Sequence, residues 1–220
     1  MEGDIRMKRI ADMKISTRLV ISFLVVALLA GIVGGVGLMN INALAKSDTL
    51  LYEENTMGIV YSGDAHAYYQ RLRYNMAEML LKKDDAQRKD YVEKFENFLA
   101  VIQQNLDNYE AGIVTQADRE LFDQLEISWV SFEGYMRRAI DFTKAGEYAQ
   151  VERILLKDAD AVSGSLMDSF LAMSEYNDSG AVARAEENVR LAKTSGLIMA
   201  VVILAAAVVA VALGILIARG

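Results

Sequence analysis

The run at residues 197–218, LIMAVVILAAAVVAVALGILIA, limits what this chain can fold into more than any other stretch. It contains no charged residue and a single glycine, Gly214. Such a run of about 22 apolar residues matches the roughly 20 that a helix needs to cross the hydrocarbon core of a bilayer. A second run at residues 19–39 is similar in length and equally free of charge. In lipid the backbone of both must satisfy its own hydrogen bonds, which makes both helical. Two spans then enclose residues 40–196, about 157 residues and long enough for one domain with its own core.

Charge sets the orientation. The chain carries a formal net charge of −7. Residues 1–18 hold five basic and three acidic side chains and Arg219 adds one more cation, so the enclosed segment carries about −10. An acidic domain repels nucleic acid, and no nucleic-acid partner is expected. Arg6, Lys8, Arg9, Lys14 and Arg18 precede the first run, whereas Lys46 alone follows it closely. Residues 1–18 are therefore expected to be a cytoplasmic tail, and residues 40–196 an exported domain. The absence of cysteine fits an oxidising compartment. Ala43-Leu44-Ala45 resembles a signal-peptide cleavage site, but a run of about 21 residues exceeds the usual 7–15 of such a signal.

Periodicity between the runs is helical, with no strand alternation and no proline to interrupt it. In the first run Gly31 and Gly35 form a GxxxG spacing that suits close helix approach in lipid, or is the ordinary glycine tolerance of membrane helices. Ala65, Tyr69, Leu72, Met76 and Met79 alternate four and three apart, a bundle seam. That helix is expected to end near Lys82-Lys83, with Asp84 or Asp85 capping the next. The second seam is Tyr91, Phe95, Phe98, Ile102, Asn105 and Tyr109, ending near Gly112. Thr115 and Asp118 form a capping-box-like start for a third helix with seam Phe122, Leu125, Trp129, Phe132, Met136 and Ala139. Gly146 is expected as its left-handed cap. The fourth helix carries Tyr148, Val151, Leu155, Val162, Leu166, Met173 and Tyr176. The expected fold is all-α: an antiparallel up-down-up-down four-helix bundle, with bundle helices at about 40–82, 86–111, 115–144 and 147–196, flanked by two transmembrane helices.

Catalytic signals are missing. The chain has one histidine, His66, no cysteine, and no phosphate loop or metalloprotease helix. Asp158, Asp160 and Asp168 lack the loop spacing of a calcium site. No enzyme activity, cofactor or metal is expected. The informative stretch is residues 68–75, YYQRLRYN. Arg71 and Arg73 stand two apart and so flank the seam from opposite sides. In a dimer joined along this helix, one arginine serves its own bundle and the other the partner's pocket. Guanidinium forks suit carboxylate capture, and in an acidic domain an anionic ligand needs local cations. Arg71 and Arg73, with Tyr69 and Asn75, are the first candidate ligand-binding residues; the alternative is pairing of the arginines with Glu78, Asp64 or a neighbouring helix. Tyr135 and Arg138 on the third helix form a second candidate wall beside Arg137 and Asp141, against the alternative of surface charge pairing.

The whole chain resembles the N-terminal sensory half of a bacterial methyl-accepting chemotaxis protein with a four-helix-bundle ligand-binding domain. The resemblance rests on residues 13–19, MKISTRL, entering the first run and residues 40–44, NINAL, leaving it. It also rests on the R-x-R-x-N stretch Arg71-Leu72-Arg73-Tyr74-Asn75 and on the turn Ala145-Gly146-Glu147-Tyr148. Residues 217–220, IARG, are similar to the approach to a HAMP linker, so 219–220 would begin it. The resemblance implies a homodimer in the inner membrane that binds a small carboxylate or amino acid and shifts its last helix along its axis. In aspartate-sensing members an arginine matching Arg73 is followed by two more, at positions that here are Glu78 and Lys82; this departure argues against aspartate. Relatives that take citrate-like or aromatic acids with third-helix residues keep Tyr135 and Arg138 in view. Histidine kinases and cyclases carry the same kind of input domain, and a ligand-free structural bundle fits the seams equally well.

Overall fold

The structure, a computed structural model, describes residues 14–219; residues 1–13 of the basic tail expected over 1–18, and the last residue, Gly220, lie outside them. Helix α1 (Ile15–Leu50) passes through a π-helical turn (Leu51–Thr56) into α2 (Met57–Leu81). Then come α3 (Asp85–Lys89), α4 (Tyr91–Ala111) and α5 (Gln116–Ala145). A short α6 (Tyr148–Arg153) and a second π turn (Ile154–Asp158) lead into α7 (Asp160–Arg219). Among the described residues there is no strand.

The chain divides into two compact units. One is Thr49–Arg184, the all-α four-helix bundle. Its four helices are α2 with the turn before it, the α3–α4 pair, α5, and α6 with the bundle part of α7. The connections are a few residues each, which makes sequential neighbours antiparallel. Residues 40–48 and 185–196 group with the apolar segments rather than with this unit.

Local chemistry explains where the elements stop. Asp84 accepts a hydrogen bond from Ala86 N at 3.0 Å and caps α3. Thr115 accepts from Asp118 N at 3.1 Å and caps α5. Gly146 adopts φ 79°, ψ 15°, and the amides of Gly146 and Glu147 close on Thr143 O and Phe142 O. A side chain strains that left-handed backbone, which is why glycine ends α5. The second bundle helix is not the single element expected: a turn at Asp90 separates α3 from α4. Arg88 in α3 reaches back to donate to Lys82 O at 2.8 Å, satisfying a carbonyl at the end of α2.

The core contains the expected seams of α2 and α5: Ala65, Tyr69, Leu72, Met76 and Met79 face Phe122, Leu125, Trp129, Phe132, Met136 and Ala139, all buried. Each large apolar side chain withdrawn from water contributes about 1.5–3 kcal/mol. Two seams differ from expectation. On α4, Leu99 and Leu106 are buried, while Phe98 and Asn105 are half-buried neighbours. Both registers keep three-four spacing; Phe98 instead packs edge-on against Tyr68 at 5.8 Å. On the fourth helix Ile154, Ala159, Ser163 and Phe170 replace Leu155 and Val162, because the π turn adds a residue and rotates the downstream side chains about the helix axis.

The other unit comprises the described residues up to Asp48 and those from Ala185 on. Both α1 and α7 contain stretches long and apolar enough to cross a membrane, with none of those windows buried. Among the described residues, a Cβ on Gly31 or Gly35 would meet no other side chain within 4 Å, whereas a Cβ on Gly37 would lie 3.4 Å from Met199 Cε.

Candidate ligand-binding site

Because Tyr69 and Leu72 point into the core, Arg71 and Arg73 emerge on either side of the α2 seam, and both are exposed. Arg71 lies over the Tyr68 ring at 4.8 Å and Arg73 over that of Tyr69 at 5.5 Å. Tyr69 itself is fully buried, its hydroxyl donating to Ser163 O at 2.9 Å on α7. Asn75 donates to Arg71 O at 2.8 Å. Glu78 is engaged by Lys82 at 3.0 Å, a hydrogen bond that holds its carboxyl below the usual range. Among the described residues no carboxylate lies within 4.0 Å of Arg71 or Arg73. Pairing with Glu78 or Asp64 is thus not how this chain neutralises them.

On α5, Tyr135 is half-buried against the core, and Arg138 covers its ring at 4.6 Å while donating to Gly134 O at 3.3 Å. Arg137 is tied to Glu133 at 2.5 Å. The rings of Tyr69 and Phe132 meet inside the bundle at 5.0 Å, so the two candidate groups sit near one level on different helices. Arg71 and Asn75, four apart, share one face of α2 and Arg73 lies on the other side of the seam, while Tyr135 and Arg138 lie on α5.

A third group includes Tyr176 and Asn177, which helical spacing turns toward the bundle interior but does not join into a site with the other residues. At the end of the bundle where the chain enters and leaves, a cleft of about 660 Å³ is walled by the first π turn, the loop into α5 and α7. Glu54 and Arg184 form an ion pair across it. Thr115 and Tyr176 share a hydrogen bond of 2.6 Å at its rim. Behind it, Asn177 Nδ2 donates to Tyr109 Oη, which donates to Asp118 Oδ1, each at 2.6 Å. Burial pushes the Tyr109 hydroxyl and the Asp118 carboxyl both upward; the Tyr109 hydrogen bond opposes the shift at Asp118. Asparagines at seam positions were the available signal, since a buried amide demands partners. His66 stacks on Phe170 at 5.3 Å with Nε2 3.0 Å from Met167 Sδ, and desolvation lowers its pKa.

Residues 12–192 match the sequence model of a family described as a four helix bundle sensory module for signal transduction. A protein of Acetivibrio thermocellus that carries a sensory-transducer name is 30% identical over 148 residues, 67% of this chain. The chain spans 26% of that relative's length. With the family match running from ahead of the first apolar run through the bundle, this chain belongs to the family of four-helix-bundle sensory modules for signal transduction.

Proposed function

We propose that this chain is the sensor segment of a transmembrane chemoreceptor of the methyl-accepting chemotaxis type. It sits in the inner membrane as a homodimer, with its bundle in the periplasm, and binds a small organic acid or amino acid. The observation that carries the reading is the state of Arg71 and Arg73: two exposed guanidiniums without a carboxylate partner in a segment of about −10. An anion recovers there the bidentate pairing that the chain itself does not supply. The two arginines leave the helix about 200° apart at about 100° per residue. One ligand therefore meets one arginine from each chain at a dimer seam along α2. Asn75 and the Tyr68 hydroxyl are neighbouring polar groups on that surface, and Tyr135 with Arg138 is the alternative wall. Output follows from displacement of α7 and its apolar segment, and it cannot exceed the ligand's differential affinity for the two positions.

The test is calorimetric titration of the intact chain in detergent micelles with organic acids and amino acids. One of them is expected to bind saturably, and Arg71→Ala with Arg73→Ala to weaken it at least about tenfold, the scale of one lost charge-assisted contact. Unchanged affinity in the double variant removes the site assignment.

A further inference from the structure

The cleft at the end of the bundle is independent of the arginine surface on α2, and its chemistry has the opposite sign. Its walls carry three carboxylates, Glu54, Asp118 and Glu175, against one guanidinium, Arg184. That guanidinium is already held by Glu54. Asn55 also stands in the wall, 6% exposed, and its Oδ1 is buried with no hydrogen-bond partner. It fits there because Gly180 opposite has no side chain: a Cβ would lie 2.4 Å from Asn55 Nδ2. Glu175 is exposed and, among the described residues, unpaired. The unfilled capacity of the cleft is thus for acceptors seeking donors. Val114, Ala172 and Ala183 add apolar wall, and Tyr176 an aromatic face. A volume of about 660 Å³ falls within the few hundred to about 1,000 Å³ typical of small-molecule sites.

We infer that this cleft is a second ligand site, built for a small organic cation with N–H donors, a primary amine or a guanidine. The cationic head meets Glu175 and the free Asn55 carbonyl, and the ligand's apolar body lies along Ala172, Ala183 and the Tyr176 ring. Such a ligand touches both the first π turn and α7, and so bears on the two segments through which the bundle is joined to the apolar helices.

The experiment uses the intact chain in nanodiscs of zwitterionic lipid, titrated calorimetrically with phenethylamine, agmatine and putrescine, and with glutarate as the anionic counterpart. At least one amine is expected to bind saturably. Glu175→Gln is expected to weaken it about tenfold, as for a lost charge-assisted hydrogen bond, and Ala183→Trp to block it by filling the cleft. Both positions are exposed, so helix content by circular dichroism should not change. Glu126→Gln, on the outer face of α5, and the Arg71→Ala, Arg73→Ala variant should leave amine affinity unchanged. The inference is overturned if no amine saturates, or if Glu126→Gln weakens binding as much as Glu175→Gln, which marks diffuse charge attraction. It is equally overturned if the arginine variant abolishes amine binding, or if glutarate binds in an Arg184-dependent manner instead.

Discussion

Asn177 on α7 rests against the bare backbone of Gly58 on α2, so close that a Cβ on the glycine would lie 2.4 Å from its Oδ1. The relationship is reciprocal, because Asn55 beside α2 approaches Gly180 on α7 to the same distance. Two asparagines thus interlock with two glycines between the first and last helices of the bundle. Gly58→Ala must push Asn177 off its bonds to Tyr109 Oη and Met173 O. We expect a loss of about 1–3 kcal/mol, the usual cost of overpacking a tight site. Gly134→Ala, with nothing within 4 Å, should instead gain about 0.5–1 kcal/mol from helix propensity. Thermal unfolding of the intact chain in detergent, followed by circular dichroism, should move in opposite directions for the two.

Asp118 should make the bundle gain stability as pH falls through its folded-state pKa. Its carboxyl is buried and titrates above the ordinary 3.8 because desolvation penalises the charge. The folded state then holds a proton more tightly than the unfolded one, so the penalty present above the folded pKa is relieved as pH falls through it. Asp118→Asn keeps an acceptor for Tyr109 while removing the charge. It should match the parent within about 1 kcal/mol at neutral pH, the scale of a lost charge at a helix start, and flatten the acid response. Asp118→Leu, which strands the Tyr109 hydroxyl, should cost about 1–3 kcal/mol. Melting curves collected as a series from neutral pH down through the carboxylate range separate these outcomes.

His66 acts in the reverse sense. Burial lowers its pKa from 6.5, so its neutral form favours the fold above that value, and the contribution is lost as pH falls through the folded pKa. In His66→Gln the part of the acid sensitivity that begins near pH 6.5 should disappear. An unchanged pH profile for this variant would assign that sensitivity elsewhere.

The Glu54–Arg184 pair is the best shielded ion pair of the bundle, with side chains 15% and 32% exposed. Arg184→Ala leaves Glu54 partly buried without its cation and should cost about 1–3 kcal/mol, more than Glu54→Gln. A double-mutant cycle should return a coupling above the 0.2–1 kcal/mol of exposed pairs. Arg137 with Glu133, on the outside of α5, is the control and should return less.

What the sequence determined by itself is local. Caps at Asp84, Thr115 and Gly146 depend on atoms within four residues, and each is where the chain chemistry puts it. The α2 and α5 seams were legible because one side chain per turn was unmistakably apolar. On α4, adjacent apolar choices at Phe98 and Leu99 satisfied the period equally, and only the neighbouring helices selected Leu99. On the fourth helix a π turn shifted the phase, and no spacing rule announces that turn. The all-helical class was readable from periodicity, and the family from its resemblance in a set of short motifs and their order along the chain. The freedom of Arg71 and Arg73 was not, because it depends on Glu78 being taken by Lys82. The Asn–Gly interlock and the cleft it borders join residues more than a hundred positions apart, and such pairings exist only once tertiary packing has fixed the register of one helix against another.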